Sequence, residues 1–198
     1  MGDSLRVLIA EDEYLNLMGL KSNLEHLGHK VIGEAGDGRE AIRLAEELKP
    51  DLVLMDINMP DIDGIEAIKE INKKTALPYI IISGYHDKEL IDKAKKAGVF
   101  AYLVKPVKEK DLQIAIEICL ERFNEFRALE KEYTDMKKTL EERKYIERAK
   151  GILMDRNKLR EAEAMQILQK QSRDSNKKLI DVAKEIIEAD NILQKYRK

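Results

Sequence analysis

Short apolar runs alternate with helical periods over the first half of the chain. LRVLIA, KVIGEA, DLVLM, YIII and AYLV, all rich in Val, Ile and Leu, begin at residues 5, 30, 51, 79 and 101. Between them, apolar positions recur every three or four residues around Leu15–Leu27, Gly38–Leu48, Gly64–Asn72 and Lys88–Ala97. Strands alternating with helices imply crossover connections, because parallel strands cannot be joined by a tight hairpin. The pattern predicts an α/β fold: a five-stranded, doubly wound parallel sheet with helices on both faces. Turn residues agree. Gly36-Asp37-Gly38 opens one helix and Lys96-Ala97-Gly98 closes another.

The pattern changes after Pro106. No strand signal follows, and from Val107 onward the chain has no proline and no glycine before Gly151. Phe126, Leu129, Tyr133, Met136 and Leu140 step by 3, 4, 3 and 4, with charged residues filling most positions between them. This is a heptad seam. It outruns the sheet domain and has nothing else in the chain to pack on, so it predicts a parallel coiled coil. The rest reads as three helices. The first ends near Met154. The second runs roughly Arg160–Arg173, with Ala164, Ile167 and Leu168 as its stripe. The third runs roughly Asn176–Gln194, with Leu179, Val182, Ala183, Ile186 and Ile187 as its stripe. Asn157 suits a left-handed turn at the first break, and Asp174-Ser175-Asn176 offers cap residues to the third helix. The expected domains are residues 1–122, a coiled-coil linker helix at 123–140, and a small three-helix all-α domain at 141–198.

Charge sharpens this division. Apolar residues make up 43% of the chain and charged residues 37%, but the net charge is only −2, which suits a folded and well-solvated protein. From Glu141 to Lys198 there are 15 Lys+Arg against 11 Asp+Glu, so that stretch is +4 while the remainder is −6. An acidic body beside a mildly basic tail implies a different partner for each. Cys119 is the only cysteine, so no disulfide forms within the chain. The opening MGDSLRVLIAEDE has acids where a signal peptide needs an apolar core, and no apolar run approaches the roughly 20 residues of a membrane span. The expected location is the cytoplasm, with no membrane contact. His26, His29 and His86 fit no metal or triad spacing, so no turnover enzyme is expected.

Chemistry in an open parallel sheet collects outside the carboxyl ends of its strands. Glu11 and Asp12 follow the first predicted strand, Asp56 ends the third, Ser83 follows the fourth and Lys105 the fifth. Carboxylates gathered in this way repel each other and call for a cation. Their oxygen ligands suit a hard divalent ion such as Mg²⁺. The fitting chemistry is phosphoryl transfer to a carboxylate. Asp56 is the acceptor, and Asp12 and Asp56 hold the metal with help from Glu11 through water. Lys105 and the Ser83 hydroxyl meet the phosphoryl oxygens.

VLIAEDE, DLVLMDINMPDIDG, IIISGYHD and AYLVKP together resemble the receiver domain of bacterial two-component response regulators, over roughly residues 4–122. The resemblance implies a flavodoxin-like fold and a sensor histidine kinase that phosphorylates Asp56. It further implies that the Asn58 backbone carbonyl is a metal ligand and that Tyr85 shields the phosphoryl group. Ser83 and Tyr102 would be the switch pair, remodelling the face of the fourth helix, fifth strand and fifth helix. The seam Phe126, Leu129, Tyr133, Met136 and Leu140 would then make a homodimer on phosphorylation.

In the tail, Arg143, Ile146, the string AKGILM, Ala164, Leu168, Ser172, Asn176, Leu179, Val182 and Ala183 resemble the ANTAR module of transcription antitermination regulators. That resemblance implies binding to RNA hairpins in nascent transcripts. Lys158 and Arg160 stand where the family carries a glycine and a serine cap, and both departures add positive charge. The candidate RNA-binding residues are Arg143, Lys150, Gly151, Arg156, Lys158, Arg160, Arg173, Lys177 and Lys178. Gly151 sits inside a helix at a cost of about 1 kcal/mol against alanine, which suggests that another backbone approaches there. Only Tyr145 and Tyr196 are aromatic in the tail, so phosphates and a few base edges fit better than extensive base stacking. A DNA-binding transcription factor is the alternative, but after KKLIDVAKEII too little chain remains for a recognition helix. A protein-interaction switch without nucleic acid is the other.

Overall fold

The structure, a computed structural model, describes residues 4–84 and 88–195, with residues 88–91 described by their backbone alone. The chain divides into two compact units, Met1–Arg127 and Ala128–Lys198.

The first unit alternates strands and helices: β1 (Arg6–Ala10), α1 (Tyr14–His26), β2 (Lys30–Ala35), α2 (Gly38–Leu48), β3 (Leu52–Asp56), α3 (Gly64–Asn72), β4 (Tyr79–Ser83), α4 (Lys88–Lys96) and β5 (Ala101–Val104). All four strand pairings are parallel, in the order β2-β1-β3-β4-β5. Side chains alternate across the sheet, so each central strand feeds two cores. Leu8, Val53, Met55, Tyr79 and Ile81 pack with residues of α2, α3 and α4. Val7, Ile9, Leu52, Leu54, Ile80 and Ile82 pack with Leu20 and Leu24 of α1 and with Leu112, Ile116 and Cys119. Burial of both faces is why these strands read as continuous apolar runs rather than alternating ones. The predicted five-stranded, doubly wound flavodoxin-like sheet is the observed one. The expected turn residues act as read: Asp37 caps α2 by accepting from the Glu40 N–H, and Gly98 takes φ +87° after α4.

α5 runs from Glu109 to Asn157 and carries the chain from the first unit into the second, where α6 (Glu161–Ser175) and α7 (Leu179–Lys195) follow. The core of the second unit is small: Ala149, Leu168, Val182, Ala183 and Ile187 are buried, with Ile146, Ile152, Leu153, Leu179 and Ile186 packed around them. Its two breaks differ in detail from expectation. α5 persists through Asn157, and Lys158 takes the left-handed conformation at φ +54°. Asn176, also left-handed at φ +52°, ends α6 instead of opening α7, and its N–H reaches the carbonyls of Ser172 and Arg173. A sequence-based reading that treats Asn and Ser as caps cannot tell the end of one helix from the start of the next.

One glycine fixes how α3 meets β3. A Cβ at Gly64 would stand 1.9 Å from the Asp56 carbonyl oxygen, and the Gly64 N–H donates to the Ile57 carbonyl at 3.0 Å. The chain therefore doubles back directly over the end of β3. By contrast, a Cβ at Gly19 within α1 meets nothing. Gly64→Ala is expected to cost about 1–3 kcal/mol through displaced backbone. Gly19→Ala is expected to gain about 0.5–1 kcal/mol. Chemical denaturation of both variants checks the pair.

Candidate functional site

The carboxyl edge of the sheet brings together the residues that follow β1, β3, β4 and β5. Asp56 and Glu11 are 3% and 2% exposed, and Ser83 is fully buried. Lys105 reaches into this edge, and its Nζ donates to Asp56 Oδ2 at 2.6 Å and to Glu11 Oε1 at 2.8 Å. Its position is set by β5 pairing, for the Lys105 N–H donates to the Ser83 carbonyl at 2.9 Å. The Asn58 backbone N–H donates to Asp56 Oδ1 at 3.2 Å, so the turn after β3 lines the pocket with backbone. Asp12 lies at the exposed rim, and Tyr102 is half-buried in β5, three residues before Lys105. Tyr85 lies outside the described residues.

Two buried carboxylates thus share a single ammonium. Burial pushes the Glu11 carboxyl above its ordinary range. The charge of Asp56 adds to that rise, against the pull of Lys105. For Lys105, burial works against the charged form, but its hydrogen bonds and charge contacts to Asp56 and Glu11 outweigh it and hold the ammonium above its usual range. The site has room for more positive charge. Glu11, Asp12 and Asp56 each offer an oxygen within 4.8 Å of the others. Among the described residues, Glu11 Oε2 and the Tyr79 hydroxyl are buried polar atoms with no hydrogen-bond partner. A hard oxygen-seeking cation fits this donor set. Beside it, Glu11, Leu15, Asn16, Lys105, Pro106 and Val107 line much of an open cleft of ≈ 230 Å³.

The second unit distributes its candidate RNA-binding residues in two ways. Arg143, Lys158, Arg160, Arg173 and Lys178 are exposed and make no ion pair among the described residues. Lys150 is different: it is buried, and its Nζ meets Glu147 at 2.8 Å and Glu161 at 2.7 Å, joining α5 to the first turn of α6. Hydrogen bonds to these carboxylates hold the Lys150 ammonium above its usual range. Arg156 pairs with the buried Asp190 of α7, which also accepts from Gln194, and Lys177 pairs with Glu185. Gly151 has open space where a Cβ would stand, so among the described residues no other helix of the chain makes the close approach that a helical glycine suggested. Arg160 precedes α6 as the cap. A guanidinium cannot accept a hydrogen bond, so the capping runs one way, from the Arg160 N–H to Glu163 at 2.8 Å.

The seam residues lie on the helix surface. Leu129, Tyr133, Met136 and Leu140 are 56–69% exposed, and Phe126 is 47% exposed. Phe126 is partly used by its own unit, where its ring sits 5.8 Å from that of Phe100.

The family model of the response regulator receiver domain matches residues 7–117, and that of the ANTAR domain matches residues 134–187. This chain is a response regulator. It is 44% identical over 183 residues to the transcriptional regulatory protein PdtaR of Mycobacterium tuberculosis, covering 92% of this chain and 89% of that protein. Its receiver is 45% identical over 102 residues to the chemotaxis protein CheY of Thermotoga maritima, 51% of this chain and 85% of CheY. Among solved structures, the signal receiver domain of a modulated diguanylate cyclase from Desulfovibrio desulfuricans superposes with a TM-score of 0.58. It shares 36% identity and covers 62% of this chain and 98% of that one. CheY in a CheX-CheY-BeF3-Mg complex from Borrelia burgdorferi does so at 0.54 and 26% identity, over 56% of this chain and 85% of that one. Receiver domains bind Mg²⁺ at an acidic pocket, and this response regulator has the matching cluster. None of its described helices is long and apolar enough to cross a membrane.

Two features escaped sequence reasoning. Asp190 falls on the apolar stripe of α7, one turn beyond Ile186 and Ile187, and a carboxylate on such a stripe is itself a sign of a buried pair. Glu161 gives no such sign, because it is the fold that brings it to Lys150. Asp190→Ala is expected to lower stability by about 1.5–3 kcal/mol, since it leaves the Arg156 guanidinium without its partner. Thermal unfolding followed by circular dichroism checks this.

Proposed function

We propose that this response regulator is phosphorylated on Asp56 by a sensor histidine kinase, dimerises through α5, and binds RNA hairpins to cause transcription antitermination. A receiver and an ANTAR domain in one chain, with a buried aspartate at the sheet edge of the first, carry the reading.

An Asp56 carboxylate oxygen bonds to the phosphorus as the bond to the donor imidazole nitrogen breaks. Lys105 is already in contact with Asp56 and offsets charge on the phosphoryl oxygens, while Ser83 is buried alongside to donate to one of them. Glu11, Asp12 and Asp56, with the Asn58 carbonyl, would hold Mg²⁺, which neutralises phosphoryl charge when bound. The Borrelia CheY solved with BeF3 and Mg supports this assignment. Tyr14 and Leu15, 70% and 84% exposed on α1 beside the cleft, provide an apolar surface for the phosphodonor. The phosphorylated side chain carries about −1.5 to −2 in place of the −1 of the Asp56 carboxylate, where one ammonium already serves two acidic groups. Ser83 and Tyr102 respond, and the change reaches α5. Its exposed seam then zips with that of a second copy, so that two output units engage paired hairpins.

Of the candidate RNA-binding cations, the exposed Arg143, Lys158, Arg160, Arg173 and Lys178 contact phosphates, whereas Lys150, Arg156 and Lys177 act mainly within the module. Gly151 leaves its helix surface open to RNA.

Incubation with a small-molecule phosphodonor and Mg²⁺ should add one phosphoryl group to the wild-type chain and none to Asp56→Asn, read by intact mass. On sedimentation, the phosphorylated wild type should dimerise and Leu129→Glu with Leu140→Glu should not. Fluorescence anisotropy should detect binding to paired hairpin RNAs that weakens steeply with salt. Tighter binding to duplex DNA would favour a transcription factor. Binding to neither, with the dimer intact, would favour a protein-interaction switch.

A further inference from the structure

Between α5 and the start of α7 the second unit holds a groove of ≈ 320 Å³, within the size range of small-ligand sites. Its lining includes Lys138, Glu142 and Tyr145 of α5, Lys178 just before α7, and Asp181 and Lys184 of α7. Tyr145 is 41% exposed, one residue before Ile146 of the module's core. The Lys184 Nζ lies over the Tyr145 ring, 5.3 Å from the centroid, a cation–π contact that a base stacking on that face would displace toward its phosphate. An exposed aromatic ring, lysines from two elements and carboxylates on the same walls form a set suited to one kind of ligand. The ring supplies a stacking surface, the ammonium groups meet phosphate oxygens, and the carboxylates accept from amino groups on a base edge.

We infer that this groove binds a single unpaired nucleotide from the loop of an RNA hairpin, stacked on Tyr145, with Lys178 and Lys184 on its flanking phosphates. Glu142 and Asp181 favour a base that presents an exocyclic amine. The inference rests on the RNA-binding reading and deepens it, by making Tyr145 a stacking platform in a module poor in aromatics. The placement also suits a dimer. Lys138, Glu142 and Tyr145 step by 4 and 3 along α5, and at 3.6 residues per turn they lie opposite the seam of Tyr133, Met136 and Leu140. Two chains joined through the seam would each keep a groove facing outward, one for each hairpin.

The test uses the phosphorylated full-length chain and a hairpin RNA selected on it from a pool with a randomised loop. Tyr145→Ala should weaken binding roughly 10- to 100-fold and Tyr145→Phe should leave it near wild type, because stacking needs the ring and not the hydroxyl. Abasic substitution at one loop position should weaken wild-type binding by a similar factor and cost nothing further in Tyr145→Ala. A 2-aminopurine at that position should be quenched on binding to wild type and to Tyr145→Phe, but not to Tyr145→Ala. Circular dichroism and sedimentation guard against misfolding and loss of the dimer. If Tyr145→Ala binds the hairpin as tightly as wild type, or the abasic penalty persists in it undiminished, the groove is not a base site even though the RNA reading stands. If the wild-type chain binds no hairpin, both readings fall, and a peptide becomes the better occupant.

Discussion

Two buried carboxylates and one ammonium set the terms for the receiver. Glu11 comes from the end of β1, Asp56 from the end of β3 and Lys105 from the end of β5, so the contact exists only when β1, β3, β4 and β5 pair in their observed order. Removing charges from water costs energy unless they are well partnered. Lys105 partners both acids, yet one Glu11 oxygen stays without a hydrogen bond. The pocket is therefore short of positive charge before any phosphoryl group arrives. That deficit suits the pocket to a cation and, under the proposed function, is what added negative charge would act on. Gly64 keeps the pocket tight, because a side chain there would push against the Asp56 backbone itself.

The second unit meets a different constraint. Its core has few buried apolar residues, and three of them are alanine or valine. Side-chain ion pairs supplement it: Lys150 with Glu147 and Glu161, and Arg156 with Asp190. Those cations tie helices together and are engaged within the module. Among the exposed ones, Lys158 and Arg160 stand before α6 and Arg173 and Lys178 around the turn into α7, while Arg143 lies within α5. A mildly basic module thus uses part of its positive charge to hold its fold and leaves the rest exposed.

The sheet was legible because burial on both faces leaves uninterrupted apolar runs, as in DLVLM and YIII, and because reactive groups follow strand ends by rule. The helical tail was legible in its stripes. What escaped were pairings that depend on three-dimensional approach. Lys150 stands beside an apolar stripe, and sequence alone does not reveal that Glu161, eleven residues on, folds back to it. The left-handed residue after α5 is Lys158 and not the more permissive Asn157, which the helix still includes. Phe126 reads as a pure seam residue, yet it also packs near Phe100. The periodicity gives its face but not which neighbour reaches it. Gly64 looked like an ordinary helix start until the Asp56 carbonyl was placed against it.

The central claim is that a charge event at Asp56 is read out along α5. Hydrogen exchange of the backbone amides from Phe126 to Leu140 tests it most directly, because these positions carry the exposed seam and lie outside the pocket. Phosphorylation should slow exchange there in the wild-type chain, as two seams bury each other, and should change nothing in Asp56→Asn under the same conditions. Equal exchange in the phosphorylated and unphosphorylated wild-type chain, with the phosphoryl group confirmed by mass, would contradict it.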